Sequence, residues 1–164
     1  MSAVESRLAA VVSAGEASAQ LPAAIRALIT LGVTPVMLTG DNALTAEAIA
    51  REAGIAQWQS GMLPQGKAHH VQTLHTSGRK VGMVGDGVND APALAAADVS
   101  FAIGAGADVA IQTADITLMR TDLRAVLDAL KLSKRTLRTI RVNLGWAFAY
   151  NVVGIPIAAM IISA

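Results

Sequence analysis

The stretch Val81–Pro92, with the sequence VGMVGDGVNDAP, constrains the fold of this chain more than any other. It opens with apolar residues that predict a buried strand, and this strand ends at two glycines on either side of Asp86. Asn89 and Asp90 follow, and residues 91–97 predict a helix. Carboxylate and amide side chains at a strand end, with glycines that allow close backbone approach, can hold a divalent cation beside a phosphate. Gly, Asn and Asp are also ordinary turn residues, but this density directly after a strand favours a magnesium–phosphate loop.

Predicted strands alternate with predicted helices along most of the chain. This pattern is typical of an α/β fold in which a parallel, Rossmann-like sheet is covered by helices on both faces. Residues 8–12 predict a short edge strand, and residues 57–64 predict a connector. The other strands are expected at 35–38, 80–84, 99–103 and 115–119. Helices are expected from 22 to the glycine at 32, at 43–53, 67–78, 91–97 and 107–113, and from 122 onward.

A second polar motif, Thr39-Gly40-Asp41-Asn42, follows the predicted strand 35–38. It falls at the same edge of the sheet as Asp86, because the carboxyl ends of parallel strands lie together and bind ligands there. The Thr39 hydroxyl and nearby backbone N–H groups can contact a phosphoryl oxygen. Lys67, at the start of the third helix, can neutralise phosphate charge, and Asp86 can bind Mg²⁺. Phosphoryl transfer would also need an acceptor, which in this fold would be an aspartate on a separate strand.

The last third of the chain differs in character from the rest. Basic residues crowd the end of the long helix at Lys131, Lys134, Arg135, Arg138 and Arg141. No charged residue occurs from Val142 to Ala164, which is long enough for a helix to cross a hydrocarbon core of about 30 Å. Basic residues before such a span place that end on the cytoplasmic side. We therefore predict a transmembrane helix over 142–164, while a buried core helix remains the alternative.

Composition sets further bounds. Hydrophobic residues make up 53% of the 164-residue chain, the net charge is +1 and there is no cysteine. Disulfides and thiolate metal sites within the chain are therefore excluded. His69, His70 and His75 lie in the third predicted helix without convergent ligands, so we interpret them as solvated helix residues. The basic cluster beside an apolar span favours lipid headgroups over nucleic acid as a partner.

Together, the Thr39 motif, Lys67 within LPQGK and the Val81–Pro92 stretch resemble the P-type ATPases. These are ion pumps whose phosphorylation domain is haloacid-dehalogenase-like. The resemblance covers about residues 22–163, and the Gly85–Pro92 motif is its most specific part. The pattern of Asn143, Tyr150-Asn151 and Pro156 is similar to the heavy-metal branch, most of all to its copper-exporting members.

The resemblance implies a role for each matching residue. Asp86 would be the Mg²⁺ ligand, with Asn89 and Asp90 supporting the phosphate site and Asp90 also near the metal. Thr39 would contact phosphate with Gly40 beside it, and Lys67 would stabilise the phosphate charge. Asp41 would lie near the bound ATP or the hinge, although a turn residue that helps to start the next helix is an equal alternative.

The tail motif would take part in binding the transported cation, which the resemblance makes copper(I), through Asn143, Tyr150 and Asn151. The implied layout is a partial phosphorylation domain over 1–130 on the cytoplasmic side, a basic juxtamembrane helix over 131–141 and a membrane helix over 142–164.

The chain departs from the family pattern in two motifs. It contains no Asp-Lys-Thr-Gly motif, which carries the phosphorylated aspartate of these pumps, and no Cys-Pro-Cys motif. We therefore expect the C-terminal part of an integral membrane pump, inactive without the missing N-terminal part. A soluble phosphatase of the same superfamily is one alternative, but residues 1–20 lack its Asp-x-Asp strand. A non-catalytic, membrane-tethered fragment is the other.

Overall fold

The computed structural model describes residues 8–13, 21–85, 88–103, 112–118 and 123–162. Its described strands are β1 (Leu8–Ser13), β2 (Val33–Leu38), β3 (Gln57–Gln59), β4 (Lys80–Gly85), β5 (Val99–Ile103) and β6 (Ile116–Leu118). The described helices are α1 (Leu21–Thr30), α2 (Ala43–Ala53), α3 (Pro64–Thr76), α4 (Ala91–Ala96) and α5 (Arg124–Ile162), with a 3₁₀ turn at Val88–Asp90. The predicted helix at 107–113 falls largely outside these residues.

The six strands form one sheet in the order β3-β2-β1-β4-β5-β6, and every pairing is parallel. This order confirms the predicted Rossmann-like α/β architecture. The prediction that residues 8–12 form an edge strand is wrong, because β1 lies between β2 and β4. Its residues Ala9–Val12 are buried, as expected of an apolar strand covered on both faces.

The predicted connector at 57–64 contains the short strand β3, which pairs with the end of β2 and forms one edge of the sheet. Three residues that read Gln-Trp-Gln carry too little apolar pattern to predict a strand. The neighbouring helix α2 begins and ends as its sequence predicts. The Asn42 Oδ1 accepts the Thr45 N–H at 2.9 Å, and Gly54 closes the helix in a left-handed conformation with φ of 75°.

The core lies on both faces of the sheet. Val36 and Leu38 of β2 belong to a buried cluster with Val71 of α3 and Leu94 of α4. Met37 lies between them in sequence and therefore faces the other side, where α1 packs against β2 and α2. The sheet thus keeps α3 and α4 together on the face that carries Lys67.

The chain divides into two compact units, Met1–Leu127 and Asp128–Ala164. The sheet and helices α1–α4 belong to the first unit. Within the second, the helix α5 continues without interruption through Pro156 to Ile162. The predicted long helix is therefore present.

Among the described residues, no helix combines the length and the apolar character needed to cross a membrane. The predicted span over 142–164 accordingly has no support from the structure.

Candidate phosphate and metal site

The polar motifs meet at the carboxyl edge of the three central strands. Val12 of β1 is in register with Met37 of β2 and Val84 of β4, so all three strands end together. Thr39 directly follows β2. Since β1 separates β2 from β4, the ends of those two strands lie about 10 Å apart.

Thr39 is buried and fixed by hydrogen bonds on all sides. Its backbone N–H donates to the Gln59 carbonyl at 3.0 Å, and its carbonyl accepts the Met62 N–H at 3.0 Å. Its Oγ1 donates to Asp41 Oδ2 at 2.9 Å and accepts the Asp41 N–H at 3.1 Å. The hydroxyl therefore has a defined position at the sheet edge, as a phosphate contact requires.

Asp41 is exposed and does not cap α2, because Asn42 does so. Its carboxylate instead orients the Thr39 hydroxyl, and its carbonyl accepts the Gly61 N–H at 2.8 Å. Gly40 lies between Thr39 and Asp41, where an added Cβ would meet the Met62 carbonyl oxygen at 3.5 Å. Asn42 is therefore the cap of α2, and both sequence-based alternatives for Asp41, a residue near bound ATP or the hinge and a turn residue before the helix, stay predictions.

Lys67 and Asp90 form a buried ion pair. The Lys67 Nζ lies 2.7 Å from Asp90 Oδ1, and the two side chains are only 8% and 3% exposed. Helix α3 supplies the lysine from its first turn, and the 3₁₀ turn after β4 supplies the aspartate. Sequence reasoning selected both residues but did not predict their contact, because 23 positions separate them. Each charge is costly to bury alone, so the pair holds both in place.

Gly85 leaves the space that Asp90 occupies. A Cβ built on Gly85 would lie 2.7 Å from the Asp90 Cβ and 2.8 Å from its Oδ2. Real Cβ atoms do not approach other atoms so closely, so the last residue of β4 has to be glycine for the Asp90 carboxylate to lie across it. The glycine before Asp86 is thus explained by packing against Asp90.

The remaining residues of this predicted site are only partly described. Asp86 and Gly87 lie outside the described residues, and Asn89 is exposed in the 3₁₀ turn. The described residues contain no group of three His, Cys, Asp or Glu side chains that could hold a metal ion. Carboxylate and amide oxygens suit Mg²⁺. Of the two predicted metal ligands, Asp90 alone is described, and its Oδ1 is engaged by Lys67.

The residues predicted to contact the transported ion all lie on α5. Asn143 and Tyr150 are seven positions apart and share a helix face, whereas Asn151 lies about 100° around the helix. Tyr150 is 80% exposed. The Asn151 side-chain amide donates to the Ala147 carbonyl at 2.9 Å. The structure therefore brings two of these three side chains onto one face.

A charged cluster that sequence reasoning did not find lies at the opposite, amino end of the sheet. The Asp98 carboxylate lies 2.5 Å from His75 Nε2, accepts the Lys80 Nζ at 2.7 Å and accepts the Val81 N–H at 2.8 Å. Burial acts to raise the pKa of Asp98, but the hydrogen bonds from Lys80, Val81 and His75 together lower it. Asp98 thus joins the end of α3 to the start of β4.

The histidines of α3 do not all behave as solvated residues. His75 contacts Asp98 through the cluster just described. His70 lines a groove beside β3, where its burial and then the neighbouring His69 lower its pKa.

This strand order and its carboxyl-edge site define a Rossmann-like α/β domain with polar groups at the point where the strand order reverses. The profile of the haloacid dehalogenase-like hydrolases matches residues 4–98, and the chain belongs to this family.

Individual proteins are similar to this chain over most of its length. The chain is 51% identical over 158 residues to the copper-transporting ATPase 2 of Rhizobium meliloti, covering 96% of this chain and 19% of that protein. It is 53% identical over 137 residues to a copper-exporting P-type ATPase of Bacillus subtilis, covering 84% of this chain and 17% of that protein. The chain therefore spans about a fifth of the length of these relatives.

A crystal structure of a zinc-transporting PIB-type ATPase in the E2·Pi state matches with a TM-score of 0.79 and 39% identity. The match covers 89% of this chain and 24% of that one.

Proposed function

We propose that this chain forms the Mg²⁺- and phosphate-binding part of the phosphorylation domain of an ATP-driven copper(I) transporter. The buried Lys67–Asp90 pair carries this proposal, because it places a fixed cation and carboxylate where the central strands end. The 51% identity over nearly the whole chain to a copper-transporting ATPase supports the same class of activity.

The role that we propose for each residue follows from the chemistry of its side chain. Thr39 contacts the phosphoryl oxygens once its hydroxyl turns its single O–H donor from Asp41 to the phosphate, and Lys67 offsets their charge. Asp86 binds Mg²⁺, with Asn89 and Asp90 supporting the metal and phosphate. Bound Mg²⁺ would neutralise charge that develops on the transferring phosphoryl group. The main binding site for ATP and the aspartate that accepts the phosphoryl group would lie in parts of the transporter that this sequence does not contain.

We further propose three regions: 1–130 for the phosphorylation domain, 131–141 for a juxtamembrane helix and 142–164 for a membrane-spanning segment of the complete transporter. The absence of charge from Val142 to Ala164 supports the last region. Copper(I) is the proposed cargo, with Asn143, Tyr150 and Asn151 completing its path. Copper(I) prefers sulfur to phenol and amide oxygen, so its main ligands would lie elsewhere in the transporter.

The test transplants residues 8–164, which include the central strand β1, into a complete copper-transporting ATPase in which the acceptor aspartate is present. Asp86→Ala should lower phosphoenzyme formation from radiolabelled ATP by about 100-fold or more, because it removes the metal ligand. Asp128→Ala, an exposed carboxylate on α5, is the matched control and should leave labelling unchanged. Normal labelling of the Asp86→Ala transporter would contradict the proposed role of the loop.

The isolated chain provides a second test. It should form no acid-stable phosphoenzyme with ATP and Mg²⁺, because it lacks the acceptor motif. Stable label on the chain would overturn this expectation. Hydrolysis of p-nitrophenyl phosphate by the chain alone would favour the phosphatase alternative instead.

A further inference from the structure

Asp98, which lies between α4 and β5, is hydrogen-bonded to three elements at the amino edge of the sheet. Its backbone N–H donates to the Val81 carbonyl at 2.9 Å, and its Oδ2 accepts the Val81 N–H at 2.8 Å. Its Oδ1 accepts the Lys80 Nζ at 2.7 Å. The His75 Nε2, from the last turn of α3, lies 2.5 Å from the Asp98 Oδ2. One residue therefore joins the end of α3, the start of β4 and the end of α4.

The same three elements carry groups of the candidate phosphate site at their opposite ends. Helix α3 supplies Lys67 from its first turn, about 12 Å before His75 along the helix. Strand β4 ends at Gly85, the residue before the predicted Mg²⁺ ligand. Helix α4 begins directly after Asp90. Because close-packed elements transmit strain along their length, a displacement at the amino edge would reach the site.

Apolar packing alone does not fix the position of α3 along its own axis. Val71 of α3 and Leu94 of α4 belong to the same buried cluster, which holds the two helices together. Hydrophobic attraction is non-directional, however, whereas a hydrogen bond weakens steeply when its angle changes. Along α3, contacts of this directional kind lie near both ends, at Lys67 and at His75. The contact of His75 with the Asp98 carboxylate therefore limits how far the Lys67 Nζ can move.

We propose that Asp98 is a positioning residue for phosphoryl transfer, which holds α3 and β4 at the amino edge so that Lys67 and Asp90 keep their places beside the phosphate. This inference rests on the proposed function. Phosphoryl transfer depends on placing charge against the reacting group, and a misplacement of about 1 Å can lower a rate on the order of 100-fold. Loss of Asp98 should therefore slow the transfer step and leave the KM for ATP unchanged, since the main ATP site would lie outside this chain.

The test uses the transporter that carries residues 8–164 and follows a single turnover of phosphorylation by radiolabelled ATP. Asp98→Ala should lower the rate constant at saturating ATP about tenfold, with the same ATP concentration for the half-maximal rate. Loss of folded protein alone would lower the amplitude of labelling and leave the rate constant unchanged.

Asp115→Ala is the matched control for this variant. The Asp115 carboxylate also accepts a backbone N–H at the start of a strand, that of Ser100, at 2.9 Å. It joins β5 to β6, which carry no residue of the candidate site. Asp115→Ala should therefore leave the rate constant of phosphorylation unchanged.

A second pair of variants tests the contact between α3 and Asp98 with Asp98 in place. His75→Ala should lower the rate constant by a smaller factor than Asp98→Ala, because Asp98 keeps its bonds to β4. His75→Gln should restore most of the rate, since its side-chain amide offers Asp98 an N–H donor in place of the imidazole. This pair also decides the question if Asp98→Ala does not fold.

Unchanged rate constants in Asp98→Ala and His75→Ala would overturn the proposal. An equal fall in Asp115→Ala, or no recovery in His75→Gln, would also overturn it. Asp86→Ala in the same transporter separates these outcomes from a failure of the proposed function. Loss of labelling in Asp86→Ala together with a normal rate in Asp98→Ala would reject only the positioning role, whereas normal labelling in Asp86→Ala would reject the proposed function itself.

Discussion

Two lysine–aspartate ion pairs among the described residues of the first unit differ in their surroundings. Lys67 to Asp90 and Lys80 to Asp98 both measure 2.7 Å, but Lys67 is buried and Lys80 is 73% exposed. The distance alone therefore says little about how much each ion pair contributes to the free energy of unfolding. A buried pair that loses one partner leaves an uncompensated charge, whereas water solvates an exposed charge that loses its partner.

The first prediction follows from this difference. Lys67→Met should lower the free energy of unfolding by about 3–5 kcal/mol, because Asp90 then remains buried without its cation. Lys80→Met should cost less than about 1 kcal/mol. Urea denaturation measures both. The double variant Lys67→Met/Asp90→Asn should regain much of the loss. Similar costs for the two single variants would show that burial does not govern this pair.

Two glycines of β4 provide a matched comparison for the second prediction. Gly85→Ala places a Cβ 2.7 Å from the Asp90 Cβ, whereas the nearest neighbour at Gly82 would be 3.9 Å away. Gly85→Ala should therefore destabilise the protein by about 1–3 kcal/mol through overpacking. Gly82→Ala should change stability by less, since its contact is ordinary. Chemical denaturation midpoints test this, and equal midpoints for the two variants would refute the proposed role of Gly85.

At the scale of helices and strands, α3 is tied down at both of its ends. Lys67 near its start pairs with Asp90, and His75 near its end contacts Asp98. A shift of α3 would have to break contacts at the two opposite edges of the sheet. Since Lys67 belongs to the proposed phosphate site, the cluster around Asp98 helps to set the position of that site from its far side.

The lowered pKa of Asp98 yields the third prediction. An aspartate whose pKa is lower in the folded state than in the unfolded state stabilises the protein at pH values above its unfolded-state pKa. This stabilisation disappears as the pH falls through the folded-state pKa. The wild-type protein should therefore lose more stability between pH 5 and pH 3 than Asp98→Asn does. Urea denaturation across this pH range measures the loss of stability, with the Glu52→Gln variant of an exposed carboxylate as the control. A wild-type slope equal to that of Asp98→Asn would contradict the assignment.

Most elements could be predicted from sequence because their apolar spacing and end signals are local. Helix α2 shows this, since Asn42 and Gly54 mark its ends. The position of β1 could not be predicted, because apolar content shows that a strand is buried but not which strands flank it. The Lys67–Asp90 contact also depends on the packing of α3 against the turn after β4. The sequence therefore predicted which residues belong to the candidate site, but it did not predict which of them form a pair.

The two units of the chain differ in the burial of their described side chains. Side chains of β1, β2 and β4 are buried in the sheet, while those of α5 from Lys131 to Val152 are exposed. A helix that lacks tertiary packing opens more easily than a packed one, because packing supplies most helical stability in proteins.

The fourth prediction concerns hydrogen exchange of the full chain in buffer without lipid. Amides of β1 and β4 should exchange at least about 1,000-fold more slowly than those of residues 131–152, since opening the sheet requires disruption of the core. Mass spectrometry of peptic fragments resolves the two regions. Equal protection in both would show that α5 is packed in solution. Residues 43–53, the amphipathic helix α2, serve as an intermediate reference.

The central position of β1 also affects how the protein is made. Leu8 pairs with Val33 about 25 residues later and with Lys80 about 70 residues later, so one side of this strand has no neighbour until β4 leaves the ribosome. At roughly 5–20 residues per second, that interval is on the order of 4–14 s. During this time an apolar strand with unpaired backbone groups is available to chaperones or to other nascent chains. The middle of the sheet therefore cannot close before β4 has been made, and the speed of translation sets the earliest moment at which it can do so.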